Sequence, residues 1–224
     1  MNLTPLEVFA IKYSIKIAVL SVIINIPLCL LVILIIKKLP KSFKILIETI
    51  LSLPIVLPPI VTGYILLIMF SKNSFLGNAI YSCSGITIPF SFYGSVLAAT
   101  VISFPIMLKP IKLSYENIDI MYIKISMNLG ISKFKTFFKI TLPLIKNGLI
   151  SGALLGFARA LGEFGATIML AGNIPFKTTS IPLAIFSFFN QANGENSVFR
   201  LVIISIIISL VSLILSEILV RKSK

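Results

Sequence analysis

From residue 17 to residue 36 the chain runs without a charged side chain, and most of its residues are Ile, Leu, Val or Ala. Four further apolar stretches follow, at 49–71, 88–108, 147–172 and 198–220. Each holds about 20 residues or more, the length a helix needs to cross a hydrocarbon core of about 30 Å. A soluble domain would carry about 25% charged residues. This chain carries 12%, with 57% hydrophobic residues and a mean hydropathy of +1.07. The expected fold class is therefore an all-α membrane protein of about five transmembrane helices, a single domain over 1–224. The short apolar run 181–189 cannot cross alone, and as an interfacial or re-entrant helix it makes six spans possible. The first span is too long for a signal-peptide core, and no small-residue cleavage site follows it.

The formal net charge is +13. In a soluble protein such an excess points to nucleic acid, but here the basic residues cluster in short connections between apolar runs. That placement excludes a nucleic-acid role and fits orientation signals and contact with anionic membrane lipid. The segments 37–48, 109–146 and 221–224 hold about 14 of the Lys and Arg residues, and the opposite side about 5. Five spans put all three basic segments on the cytoplasmic face, with the N-terminus outside and the C-terminus inside.

Catalytic and metal chemistry are poorly served. The chain has two cysteines, Cys29 and Cys83, in no metal-ligand spacing, and no histidine. The usual zinc and haem sites are unavailable, and no metal or cofactor is expected. No nucleophile–base pair or carboxylate dyad stands out. No GxxxxGK[ST] phosphate loop occurs, so ATP hydrolysis is not expected of this chain.

The segment 109–146 is too polar to span and too patterned to be disordered. Ile123, Met127, Phe134, Phe137 and Phe138 recur near helical spacing, with Lys133, Lys135 and Lys139 among them. Gly130 can take positive φ cheaply and so end one helix before another. Pro143 is expected to close the segment. Two short amphipathic helices result, which either lie in the headgroups or dock on a soluble partner.

Four further features concern the spans. Gly148, Gly152, Gly156 and Ala160 recur every four residues, a smooth strip for close helix packing within the subunit or across a dimer. Arg159 and Glu163, four apart, can pair. At about 2.5–3.5 kcal/mol each in mid-membrane, they are expected to face the interior or a watery cavity. They act either as a packing pair or as a lining of an anion pathway. Replacing Glu163 alone should then harm the protein more than replacing both. Pro54, Pro58 and Pro59 interrupt the second span, as a simple kink or as a broken helix beside a cavity.

Resemblance narrows these choices. Gly130-Ile131-Ser132-Lys133-Phe134-Lys135-Thr136-Phe137-Phe138-Lys139-Ile140-Thr141-Leu142-Pro143 is similar to the second half of the EAA loop of ABC importer permeases, with the glycine and the Ile-x-Leu-Pro at the family spacing. Lys124, Ile125 and Ser126 stand at the Glu-Ala-Ala positions, a departure. The block from Ala158 through Pro175, extended by Lys177-Thr178 and by Ile181 to Ile185, resembles molybdate permeases. So does Leu53 to Tyr64. Phe176 stands where that family usually has glycine, and sulfate and thiosulfate permeases share much of the block.

The resemblance implies a type I ABC importer permease fold and import of molybdate, with tungstate or sulfate/thiosulfate as the alternative substrates. A stand-alone secondary transporter is the rival of another class, but only Glu163 could serve as its deep coupling carboxylate. The resemblance also implies two ABC ATPase subunits, a second copy of the permease and an extracytoplasmic oxyanion-binding protein as partners. By the same resemblance Ser126, Gly130, Phe134, Phe137, Ile140, Leu142 and Pro143 couple to the ATPase. Thr62, Arg159, Glu163 and Asn173 are the candidates for pathway or gate.

Overall fold

A computed structural model describes residues 3–221, and among these it contains helices, turns and loops but no strand. The basic tail beyond Arg221 lies outside the described residues. α1 spans Pro5–Ile36. It starts in a capping box, in which the Thr4 hydroxyl accepts from the Glu7 N–H and the Glu7 carboxylate accepts from the Thr4 N–H at 2.7 Å. At 32 residues it is roughly 48 Å long, well beyond a hydrocarbon core. It therefore begins earlier than the expected 17–36, because Ala10, Tyr13 and Ser14 already face the core while Lys12 and Lys16 point away from it.

The expected second span is not one helix. α2 (Lys41–Val56) and α3 (Pro59–Phe70) meet at 113°. Leu57 and Pro58 are both extended, the conformation that a following proline favours, so the Pro58-Pro59 pair ends one helix and starts the next. α2 buries none of its residues, whereas α3 buries Thr62, Gly63 and Leu66. A short helix, α4 (Phe75–Ser84), follows in the connection and ends at Gly85, which is left-handed at φ +68.

α5 (Phe92–Glu116) runs two turns further than 88–108. Its charged end is held outside the apolar region by Lys112 Nζ on Glu48 Oε2 at 2.7 Å and by Lys44 Nζ on Glu116 Oε1 at 3.0 Å. The polar connection accordingly starts near 117 rather than 109. It contains α6 (Ile120–Asn128), α7 (Lys133–Thr136), a π-helical turn (Phe137–Thr141) and α8 (Leu142–Leu144). Pro143 does not end this segment. It sits in the first turn of α8, and the chain bends by 67° at Ile145 into α9 (Lys146–Leu161).

The fourth expected span is also divided. After α9 comes a break and then α10 (Gly165–Ala171). α11 (Ile181–Phe189) is the short apolar run, nine residues against α12 (Glu195–Arg221) and α1. Among the described residues three helices, α1, α5 and α12, are long and apolar enough to cross a membrane alone, and the number rises to five if each of the two bent pairs is one span.

α1, α5 and α9 pack on one another at the centre, with α3 and α10 beside α5, and α11 and α12 beside α1 and α9. The glycine strip of α9 faces α5 of the same subunit. A Cβ at Gly152 would lie 2.9 Å from the Met107 carbonyl oxygen, and one at Gly148 2.7 Å from that of Pro110. Polar groups join α1 to α5: Asn25 Nδ2 donates to Thr100 O at 3.1 Å and Ser103 Oγ at 3.0 Å, and Tyr13 OH lies 2.9 Å from Ser95 Oγ.

Candidate functional site

The connection between α5 and α9 is built around a reversal at Gly130. Asp119 caps α6 through Oδ1, which accepts from the Met121 N–H at 2.8 Å. At the other end the Ile131 N–H reaches Ser126 O at 3.1 Å and the Gly130 N–H reaches Met127 O at 3.0 Å, a Schellman ending with Gly130 at φ +77. Ser132 then caps α7. The two helices are tied by Ser126 Oγ and Thr136 Oγ1, 3.0 Å apart and buried.

Of the residues assigned to coupling, Ser126 therefore lies behind the surface and fixes the angle between α6 and α7. Phe134 projects outward at 74% exposure, its ring tilted against that of Phe138 at 4.7 Å, and Phe138 meets Phe137 edge-on at 5.3 Å. Ile140 and Leu142 are half-buried and Pro143 is exposed. Leu129, Met121, Tyr122 and Ile125 are exposed as well. The segment thus offers a broad apolar face, of the kind that marks an interaction site.

The second cluster lies at the break between α9 and α10. Glu163 is 2% exposed, and its carboxylate has two tasks. One oxygen meets Arg159 NH1 at 2.7 Å; the other accepts from the Ala166 N–H at 2.7 Å, satisfying the first turn of α10. Arg159 keeps 30% of its side chain exposed. α10 is pressed backbone to backbone on α3, where a Cβ at Gly63 would come within 2.7 Å of Ala166 Cα and one at Gly165 within 2.9 Å of Pro59 Cβ. Thr62, beside Gly63, is buried, and its hydroxyl has no hydrogen-bond partner among the described residues.

Asn173 lies beyond the far end of α10. Its amide is spent within the chain: Nδ2 donates to Ser187 Oγ at 2.7 Å, and Oδ1 accepts from Thr179 Oγ1 at 2.9 Å. Thr178 Oγ1 accepts from the Ile174 N–H at 2.9 Å, closing a loop that seats α11. The structure thus brings Thr62 and Glu163 to one α3–α10 contact and sets Asn173 apart as a brace. Phe176, in the same loop, is held at φ +57, a conformation that favours glycine and accounts for the glycine usual there in the resembling permeases.

An apolar cavity of about 430 Å³ opens beside the break, lined by Phe164, Phe186 and Phe189 among others and by no charged side chain. It offers an oxyanion no cationic partner. No cluster of three or more potential metal ligands occurs among the described residues.

Sequence reasoning missed the Lys44–Glu116 and Lys112–Glu48 pairs and, more consequentially, a buried one. Arg200, near the start of α12, places NH2 2.7 Å and Nε 3.2 Å from Glu7 Oε1, with Glu7 fully buried. This clamps the N-terminal ends of α1 and α12 together. The Thr4-x-x-Glu7 spacing would have revealed the helix start, but the partner of Glu7 lies 193 positions away and leaves no local signal.

Residues 30–224 match the family described as binding-protein-dependent transport system inner membrane component. The molybdenum transport system permease protein ModB of Haemophilus influenzae is 44% identical over 95% of this chain and 93% of its own length. ModB of Escherichia coli K12 is 41% identical over 100% and 98%. Among solved structures, a bacterial ABC transporter that imports the polysaccharide alginate superposes with a TM-score of 0.75 at 16% identity, covering 98% of this chain and 80% of that one. The MetNI methionine ABC transporter does so at 0.70 and 15%, covering 98% and 96%. At such identities the superpositions speak for the fold, and the sequence relatives speak for descent. The chain belongs to the family of inner-membrane components of binding-protein-dependent transport systems.

Proposed function

We propose that this chain is the membrane-spanning permease subunit of an ATP-driven importer of molybdate. The observation that carries this reading is the 41–44% identity to two molybdenum permeases over nearly all of each chain. Two copies enclose the anion path, an extracytoplasmic binding protein delivers the oxyanion, and two ATPase subunits drive the change of access. The apolar face of α6, α7 and the π-helical turn docks on the ATPase, with Gly130 and Ser126 setting its shape and Phe134, Phe137, Ile140, Leu142 and Pro143 forming its second half. The Arg159–Glu163 pair pins α10 at the break and, with Thr62, forms the element whose movement opens or closes the path. Conformational coupling, not bond chemistry, is the task of these residues.

Five crossings place the N-terminus outside and the C-terminus inside, with the docking face in the cytoplasm. In that topology the connection that holds exposed Cys83 is extracytoplasmic. A membrane-impermeant maleimide should label Cys83 in intact cells, and should label Ser132→Cys (in a Cys83→Ser background) only after permeabilisation. The reverse pattern would overturn the topology. The purified chain should also co-isolate with an ATPase of the importer class, and a chain transporting alone would contradict the proposed assembly.

A further inference from the structure

A second cavity, of about 390 Å³, lies where α1 ends, between α2, the end of α5 and the start of α6. Its size is within the range of small-ligand sites, roughly 300–1,000 Å³. Ile33 and Ile36, both buried, face it from α1, and Ile123 faces it from α6. Lys37, Lys41, Lys44 and Lys112 also line it, with Glu116 as the one acidic lining residue.

The acidic groups here are already occupied. Glu116 takes Lys44, and Glu48, just outside the lining, takes Lys112. Lys37 and Lys41 have no carboxylate partner among the described residues. Lys37 instead donates to the neutral Tyr115 hydroxyl at 3.1 Å and lies over its ring at 5.2 Å, which fixes its direction. Beside them starts α2, a 16-residue helix whose N-cap is Pro40 and whose first N–H groups receive no side-chain cap. Such an end favours an anion.

The cavity therefore joins an apolar floor to a site for one negative group, at the level where the uncharged run of α1 gives way to lysine. That is the boundary between hydrocarbon and headgroups. We propose that it holds one anionic phospholipid, the phosphate on Lys37, Lys41 and the start of α2, and the glycerol and upper acyl chain against Leu39, Ile118, Ile120 and Ile123. A free oxyanion would satisfy the lysines but leave uncovered the apolar lining that keeps exposure, Leu39, Ile118, Ile120 and Ile123, so the lipid is the occupant that uses both halves. Because Ile120 and Ile123 also line the cavity, the lipid touches the first helix of the cytoplasmic segment.

The test is native mass spectrometry of the full chain in detergent, with phosphatidylglycerol or phosphatidylcholine added at equal concentration. The wild-type chain should retain one phosphatidylglycerol with about tenfold preference over phosphatidylcholine. Lys37→Gln/Lys41→Gln, both at exposed positions, should fall to the phosphatidylcholine level, and Lys37→Arg/Lys41→Arg should keep the preference. Lys12→Gln/Lys16→Gln, at the other end of α1, should also keep it. Equal retention of the two lipids by the wild type would overturn the proposal, as would undiminished preference in the Gln pair. Displacement of the lipid by millimolar inorganic phosphate or molybdate would likewise overturn it, in favour of a soluble-anion site.

Discussion

Gly130→Val should leave the protein inserted in the membrane and abolish uptake. Gly130 holds φ +77 in the Schellman ending of α6, and a Cβ there would meet no atom within 4 Å. The substitution therefore acts through the backbone alone. A β-branched residue resists this region, at a cost on the order of 1–3 kcal/mol. The chain relieves that cost by leaving the left-handed conformation, which breaks the Ile131-to-Ser126 bond and pulls Ser126 from Thr136. The angle between α6 and α7 is then lost, and with it the shape of the face that carries Phe134 and Phe138. Uptake and co-purification of the ATPase should both fall, while Gly130→Asn, which tolerates positive φ, should retain most of each. A segment lying only in the headgroups would accept valine. Normal uptake and normal co-purification in Gly130→Val would remove the coupling assignment.

Arg159→Met should be the most damaging single change at the break, and adding Glu163→Gln to it should restore much of the loss. Burial of the pair is lopsided, with Glu163 at 2% and Arg159 at 30% side-chain exposure. Removing the arginine strands a carboxylate in the interior, a change that costs about 3–5 kcal/mol for a fully buried pair. The Ala166 N–H remains on that carboxylate and moderates the cost toward the lower figure. Removing the glutamate leaves a cation that can still reach water, so Glu163→Gln alone should be milder. The sequence set the Glu163 change only against the double replacement; the uneven burial places the larger single-site effect at Arg159. Gln at 163 can still accept from the Ala166 N–H, so the double variant keeps the start of α10. The measurement is the amount of monodisperse protein after extraction, with its thermal midpoint. If the double variant is no better than Arg159→Met, the pairing account fails. If it assembles normally but transports nothing, the pair belongs to the moving gate rather than to packing alone.

Local chemistry made much of this molecule legible in advance. The uncharged runs announced α1, α5 and α12, since no soluble core needs 20 such residues in sequence. Gly130 announced the reversal between α6 and α7, because positive φ is a property of one residue and its neighbours. The spacing of Arg159 and Glu163 announced their pairing for the same reason. What stayed hidden depends on distant partners. Pro54, Pro58 and Pro59 left a kink and a broken helix equally open, because the 113° turn depends on where α3 docks, with Gly63 against Ala166. The division of the 147–172 run into α9 and α10 follows from Glu163 capping α10, a role that a pattern of apolar residues cannot express. Asn173 looked free to meet an anion until Ser187 and Thr179 were found on its amide. Glu7 and Arg200 lie at opposite ends of the chain, and only the fold brings them together.

The most direct test is uptake itself. The permease, its partner ATPases and the binding protein, reconstituted in sealed vesicles, should accumulate labelled molybdate only when ATP is supplied on the ATPase side. Accumulation should persist in a large excess of sulfate and vanish when this chain is omitted. Molybdate accumulation driven by an ion gradient without ATP, or full competition by sulfate, would contradict the account.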